Sequence, residues 1–203
     1  MSSVRISTTS GRVHVRAEPR DDVEVEGDAD VSIDPGCTTV SGQTGKVLVR
    51  VPIGTNIRVG TNAGRVTMDG PIGDVAVVTE SGRVEVDNAQ DVDVRSGSGR
   101  VKIARANGWC RVRSVSGQVE VGACAGADVS TDSGRVSLAG VEGPTRAHCV
   151  DGRIDLEMTA AADVDAATVT GRIQVSFPRG VEAGVDCTVA TNSISGRVEV
   201  TNR

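Results

Sequence analysis

Small apolar residues alternate with polar residues through most of this chain. After Gly82, for example, Val84 and Val86 alternate with Arg83 and Glu85. A period of two indicates a β-strand that buries one of its faces. A second alternating segment follows each short turn, and no apolar series with helical spacing runs past one turn. The recurring glycines also disfavour helices. The pattern therefore predicts an all-β protein.

The alternating segments form a repeat that opens with glycine, then Arg, Lys or Gln, then Val or Ile. From Gly45 to Gly171 the repeats are 17 to 19 residues long, by subtraction of the glycine positions. Short strands repeated in one order stack in parallel about 4.8 Å apart, with like residues above one another. We therefore predict a single-stranded parallel β-helix, a right-handed solenoid of about ten coils of roughly 18 residues. The opening glycines are Gly11, Gly45, Gly64, Gly82, Gly99, Gly117, Gly134, Gly152, Gly171 and Gly196.

The repeats fill the chain, so we predict one domain over residues 1–203. The interval from Gly171 to Gly196 is longer than the single repeats before it, and we expect residues 171–203 to form an irregular closing coil. The interval from Gly11 to Gly45 has room for two coils. We expect the second of them to open at residues 27–31, where the motif is degenerate.

Two polar columns follow from this repeat. The Ser and Thr residues before each glycine share the parity of the inward valines, and we expect their hydroxyls to bond from coil to coil. An outward column alternates in sign from one coil to the next. Because opposite charges across neighbouring strands are favourable, we expect this column to fix the register. Its members are Asp93, Arg111, Asp128, Arg146 and Asp165.

A family resemblance rests on Val51-Pro52-Ile53-Gly54-Thr55 followed by serial Ser-Gly-Arg-Val-x-Val units. This order resembles a bacterial family of β-helical solenoids of unknown function that carries the name putative adhesin. Phe177-Pro178-Arg179-Gly180-Val181 looks like the closing element of that family. The resemblance covers nearly the full chain and implies a β-helical fold, but it brings no established activity. The departure is arginine after glycine, where the family is variable and often acidic.

The amino-acid composition restricts what can fill the core, which partners the chain can bind and which compartment it occupies. The 203 residues include one Trp, one Phe and no Tyr, so small β-branched side chains must fill the core. A net charge of −5 argues against a nucleic-acid partner. No segment has the roughly 18 apolar residues of a membrane span, and residues 1–7 lack the apolar core of a signal peptide. We expect a cytoplasmic protein in which most of the five dispersed cysteines, Cys110 and Cys149 among them, are buried free thiols.

The residues that follow the glycines form the first candidate site. Each should point outward because it precedes an inward valine. One interpretation is a binding stripe for an extended polyanion or an acidic protein. The other is a surface neutralised by Glu85, Glu120, Asp155 and Glu199, two residues further along the same strands. The stripe comprises Arg65, Arg83, Arg100, Arg135, Arg153, Arg172 and Arg197, with Lys46 and Gln118 at equivalent positions.

Trp109 is the second candidate. It follows Gly108 at a turn, where we expect it to be partly exposed, either as an interface residue or as the cover of a corner. We expect His14 and His148 to be surface residues without converging partners. The sequence shows no catalytic or metal-binding constellation and implies no cofactor.

These observations favour a non-catalytic interaction or scaffold module that binds an unknown protein or an anionic polymer, as a monomer or small oligomer. The alternative is a self-assembling structural β-helix that joins end to end, as the bactofilins do, through open strands at residues 4–6 and 196–200. An enzyme that acts on a polysaccharide or an acyl substrate comes third. Turns of about four residues are too short to wall a catalytic cleft.

Overall fold

The computed structural model describes residues 3–34, 36–180 and 187–202, and within these ranges the regular elements are all strands. This confirms the all-β prediction. The strands are β1 (Ser3–Glu18), β2 (Glu24–Gly27), β3 (Asp30–Asp34), β4 (Cys37–Gly42), β5 (Lys46–Pro52), β6 (Asn56–Pro71), β7 (Val75–Ala89), β8 (Val92–Val141), β9 (Thr145–Met158), β10 (Val164–Phe177) and β11 (Val189–Asn202).

One sheet of mostly parallel strands contains all of these elements. Its order in space is β11-β10-β9-β8-β7-β6-β1-β4-β3, with β5 beside β1 and β2 beside β5. From β6 onward the order in space follows the chain, as a solenoid requires. Of the predicted closing coil, residues 181–186 and 203 lie outside the described residues.

The amino-terminal part departs from this order. Val4 of β1 lies opposite Thr38 of β4 on one side and opposite Ile57 of β6 on the other. The first coil is therefore inserted between two coils that follow it in the chain. The prediction of an open strand at residues 4–6 is wrong, because these residues pair on both sides.

Residues 24–34 do not form the parallel coil that we expected at residues 27–31. Instead β2 runs antiparallel to β5, and β3 runs antiparallel to β4. The segment lacks both the hydroxyl pair before the glycine and the Val-x-Val step after it, so it cannot make the parallel corner. It covers the outer edge instead, as short charged strands often do.

Ion pairs hold this antiparallel cover in place. Arg50 of β5 contacts Glu26 at 2.5 Å and Glu24 at 3.1 Å, and Arg20 contacts Glu24 at 2.9 Å. Hydrogen bonds from Arg20 and then from Arg50 hold the pKa of Glu24 below its ordinary value. The pairs lie at the surface, so each contributes modestly to stability.

The glycine column explains why the repeat motif needs glycine. Gly99 has a φ of +122°, a conformation that favours glycine. A Cβ there would also collide with the carbonyl oxygen of Gly82 in the coil below. The same close approach joins Gly45 to Gly11 and Gly11 to Gly64, in agreement with the inserted first coil. The column thus marks a sharp corner at which successive coils are in backbone contact.

The inward residues after this corner form the predicted buried column. Val84 lies opposite Val101 and Val136 lies opposite Ile154, and all four are at most 1% exposed. Val119, in the intervening coil, is equally buried. The placement of these side chains in one interior confirms that prediction.

The hydroxyl column is buried only in part. The first residue of each pair, such as Thr79, is buried as expected. The second, directly before the glycine, is not, since Ser81 and Ser133 are exposed.

The bonding of these hydroxyls also differs from the prediction. The Thr79 hydroxyl donates to the carbonyl oxygen of Ser81 at 3.2 Å, and that of Ser96 donates to Ser98 at 3.1 Å. These bonds stay within one coil, because the corner turns the carbonyl two residues ahead back toward the hydroxyl, and the expectation of bonds from coil to coil is wrong for these residues. It is confirmed at Thr168, whose hydroxyl reaches the carbonyl oxygen of Val150 in the neighbouring coil at 3.4 Å.

The outward charge column aligns as the sequence predicted from Arg111 to Asp165. Arg146 lies opposite Asp128 on one side and Asp165 on the other. The Nε of Arg146 is 3.3 Å from Asp165 Oδ2, and the Nε of Arg111 is 3.7 Å from Asp128 Oδ2. Opposite charges therefore face each other on neighbouring strands. That they fix the register stays a prediction.

Candidate functional site

The residues after the glycine column form a continuous ladder on one outward face. Pairing places Arg12 between Lys46 and Arg65, and the register then continues coil by coil. The predicted stripe left out Arg12, although its Gly11-Arg12-Val13 triplet carries the motif. In spatial order the ladder is Lys46, Arg12, Arg65, Arg83, Arg100, Gln118, Arg135, Arg153, Arg172 and Arg197.

Acidic neighbours neutralise part of this ladder. Arg153 contacts Asp155 at 2.7 Å, and Arg197 contacts Glu199 at 2.6 Å. Arg83 reaches Glu85 less closely, at 3.8 Å. Gln118 donates a 2.5 Å hydrogen bond to Glu120. At these positions the structure supports the interpretation of a neutralised surface.

The amino-terminal half of the ladder is different, because its strands carry few acids at the equivalent position. The residue two places on is Leu48 after Lys46, Thr67 after Arg65 and Lys102 after Arg100. Within the described residues only Arg83 among these five cations lies within 4.0 Å of a carboxylate. We call Lys46, Arg12, Arg65, Arg83 and Arg100 the cationic run.

A shallow trough accompanies the cationic run, since the glycines beside it carry no side chains. Gly64, Gly82 and Gly99 line it together with Arg65, Arg83 and Arg100. Strand spacing places neighbouring cations about 4.8 Å apart, so five coils span about 19 Å. Guanidinium groups bind carboxylate and phosphate in a bidentate manner. The surface is therefore suited to an extended chain of anions.

Trp109 lies within β8 and not at a turn, so that part of the prediction is wrong. The residue is 50% exposed, which confirms the predicted partial exposure. Its backbone N–H donates to Asp91 Oδ1 at 2.7 Å, which ties this segment to the neighbouring coil. The ring lies over Gly126, where a Cβ would come within 3.2 Å of its Cη2 atom. Trp109 thus covers the next coil at Gly126 while it keeps part of its ring in solvent.

The two histidines have different surroundings. His14 Nε2 lies 2.6 Å from Asp69 Oδ2, so the expectation that His14 has no partner is wrong. The insertion of β1 next to β6 creates this contact, which the sequence did not indicate. His148 faces outward as expected, but its Nε2 is 3.7 Å from Asp165 Oδ2, so it too has an acidic neighbour that we did not expect.

The deeply buried thiols are not disposed toward nucleophilic chemistry. All five cysteines are free; Cys110, Cys124, Cys149 and Cys187 are buried and Cys37 is half-buried, which confirms the expectation that most of them are buried. Burial raises the pKa of Cys110 far above its ordinary value and that of Cys124 to about 11. A thiol held protonated at neutral pH is a poor nucleophile.

Neither a cluster of metal-ligating side chains nor a membrane-spanning helix occurs in the described ranges. There, no group of three or more His, Cys, Asp and Glu side chains is placed to hold a metal ion. No helix long and apolar enough to cross a membrane occurs in the part of the chain that the structure describes.

Stacked parallel coils, buried valine columns and a glycine corner define a β-solenoid of the adhesin-like type that the sequence resembles. The family model described as Toastrack DUF4097 matches residues 3–203. The chain belongs to that family, whose name assigns no activity.

Two further comparisons add little about function. No curated protein matches the chain. A crystal structure of a putative cell adhesion protein from Clostridium sporogenes ATCC 15579 is similar over 100% of this chain and 92% of that one, at 10% identity and a TM-score of 0.37. At those values the likeness carries no argument about this protein.

Proposed function

We propose that the chain is a rigid, right-handed β-helix of about ten coils that acts as a non-catalytic interaction module. Its cationic run binds an extended anionic partner, either a polymer or an acidic protein segment. The observation that carries the proposal is the placement of five cations on neighbouring strands, of which only Arg83 has an acid in ion-pair range within the described residues. The ten stacked glycines support the coil number.

The physical argument is that neighbouring cations act together. Their spacing of about 4.8 Å is smaller than the Debye length of about 10 Å at moderate salt. Each cation therefore raises the potential at its neighbour, which disfavours the unliganded surface and favours a bound polyanion. Because the net charge is −5, the rest of the surface repels anions and directs them to the run.

The test is binding of poly-L-glutamate and polygalacturonate to the full chain at low and high salt. We expect binding that weakens with salt and is lost in the variant Arg12→Gln, Arg65→Gln, Arg100→Gln. The matched control is Arg95→Gln, Arg111→Gln, Arg113→Gln, which removes the same charge from the strand segments before the glycines. Equal loss in the control, or no binding of either polymer by the parent, would refute the proposal.

The proposal also includes a cytoplasmic location for the protein. Five unbridged cysteines support a reducing, cytoplasmic compartment. Thiol alkylation in intact cells, followed by mass spectrometry, tests this. Recovery of disulfide-bonded chains from cells would contradict it.

Self-assembly is a second candidate because β11 pairs only with β10 among the described strands. Its residues Val198 and Val200 are 38% and 41% exposed. The opposite edge, however, consists of β2 and β3, with 4 and 5 residues against 14 in β11. This mismatch favours a monomer or a small closed oligomer over a filament. Light scattering and electron microscopy at rising concentration separate these outcomes.

A further inference from the structure

We propose that a second site, the Trp109 cleft, binds a neutral linear saccharide. The cleft lies on the strand segments that precede the glycine column, on a different face from the cationic run. Its principal residues are Trp109, Arg111, Asp128, Arg146, Asp163 and Asp165. This site is independent of the proposed anionic partner.

The aromatic ring provides the first part of the argument. Trp109 is the only Trp in the chain, and half of its surface is exposed at one end of the cleft. Contact with Gly126 and the bonded backbone N–H hold it in place. A fixed, half-exposed indole offers a flat apolar surface at little entropic cost. The C–H face of a pyranose ring is a suitable partner for that surface.

The charged residues provide the second part. Arg111 faces Asp128, and Arg146 faces Asp165, at 3.7 Å and 3.3 Å. These side chains remain accessible, with 51% of Arg111 and 64% of Arg146 exposed. Donors and acceptors therefore alternate along the cleft. A sugar, whose hydroxyls both donate and accept, can bond to each of them.

The balance of charge favours a neutral ligand. Two arginines face three carboxylates, of which Asp163 already accepts a hydrogen bond from the Thr188 backbone at 2.8 Å. A polyanion would meet net repulsion here, unlike at the cationic run. An apolar ligand would remove these charges from water without replacing their hydrogen bonds, which is costly.

The length of the cleft favours a chain over a single sugar. It crosses five neighbouring coils, from Trp109 to Thr188 and Ala190. At the spacing of parallel strands this is about 19 Å. Arg146 lies between Asp128 and Asp165, so a donor alternates with an acceptor from coil to coil and each kind recurs at every second coil. A linear oligosaccharide could therefore meet the same pair of groups at every second coil.

The composition of the chain makes the test direct. Trp109 is the single Trp and Tyr is absent, so intrinsic fluorescence reports on this cleft alone. The full chain is titrated with cellohexaose, chitohexaose and xylohexaose, and with polygalacturonate as the acidic comparison. We expect at least one neutral oligosaccharide to shift or quench the emission of Trp109. Calorimetry should show at least ten-fold weaker binding in Trp109→Ala.

Two variants keep the result interpretable. Arg146→Ala retains the fluorophore and should weaken binding at least three-fold, whereas Arg100→Ala, in the cationic run, should leave the saccharide affinity unchanged. Circular dichroism establishes that each variant is folded. No emission change with any neutral oligosaccharide, an unchanged affinity in folded Trp109→Ala, or a response to polygalacturonate alone would each overturn the proposal. Loss of polyanion binding in the cationic-run variant bears only on the other site.

Discussion

His14 Nε2 lies 2.6 Å from Asp69 Oδ2, across 55 residues of sequence, and so ties the inserted first coil to β6. The two side chains are 30% and 48% exposed. A half-buried hydrogen bond to a charged group stabilises a fold by about 1 kcal/mol. We expect Asp69→Ala to lower the free energy of unfolding by about that amount in urea at neutral pH. Asp87→Ala is the control, because this acid is exposed one coil further on and should change stability little. Equal effects of the two substitutions would contradict a specific contact.

The inserted coil can be tested by cross-linking. Arg12 and Arg65 lie on neighbouring strands, whereas coils stacked in chain order would separate them by several strands. Because paired residues on adjacent strands come within reach of a disulfide, we expect Arg12→Cys with Arg65→Cys to form one on mild oxidation. Mass spectrometry detects it. The pair Arg12→Cys with Arg83→Cys, two coils apart, should stay reduced, and bridging there alone would refute the insertion.

The sequence predicted the strands because the alternation of inward valines with polar residues can be recognised within a short segment of the chain. It could not predict the order of the first coils, because every coil presents the same Gly-Arg-Val edge and β1 therefore fits between β5 and β6 as well as beside any other. Individual side chains decide the order, as His14 does with Asp69 and Arg50 does with Glu24. Such contacts appear only once the coils are assembled.

The candidate sites, too, could be predicted only in part from the sequence. Parity along the strand predicted that Arg65 and Arg83 point outward. The sequence also predicted the partial exposure of Trp109, but not its place within a strand. The cationic run is continuous only because Arg12, which belongs to the inserted first coil, lies between Lys46 and Arg65. The Trp109 cleft also depends on how far each coil stands out from its neighbours. The repeat pattern of the sequence does not contain that information.

The glycine corner should tolerate no side chain. We expect Gly99→Ala to lower the free energy of unfolding by about 3 kcal/mol, because its φ is +122° and a Cβ would meet the Gly82 carbonyl. Gly60→Ala is the control, since no atom lies within 4 Å of its Cβ position. Urea denaturation of both variants decides the matter. A Gly99→Ala protein as stable as the control would mean that the corner can relax.

The charge column should contribute to register. Arg146→Asp would place three acids on successive strands, at this position and at Asp128 and Asp165. Exposed pairs contribute about 0.2–1 kcal/mol each, so the loss of two attractions and the gain of two repulsions should cost about 1–2 kcal/mol. Arg113→Asp is the control, because Arg113 is exposed in β8 and lies outside this column. Thermal melting that gives equal losses for both would remove the column as a register device.

The buried thiols should make the fold sensitive to alkaline pH. Burial raises the pKa of Cys124 from 9.0 to about 11 and raises that of Cys110 further. Above pH 9 the unfolded chain loses thiol protons that the folded chain keeps, so the free energy of unfolding falls by up to about 1.4 kcal/mol per pH unit for each thiol. Below pH 9 this stabilisation is fully present. Tyr, whose ordinary pKa of about 10 falls in this window, is absent from the chain. We expect Cys110→Val with Cys124→Ala to flatten the pH dependence between 9 and about 11 in urea unfolding under reducing conditions. Cys37→Ala should retain the decline, and a decline of equal slope in the double variant would show that other groups cause it.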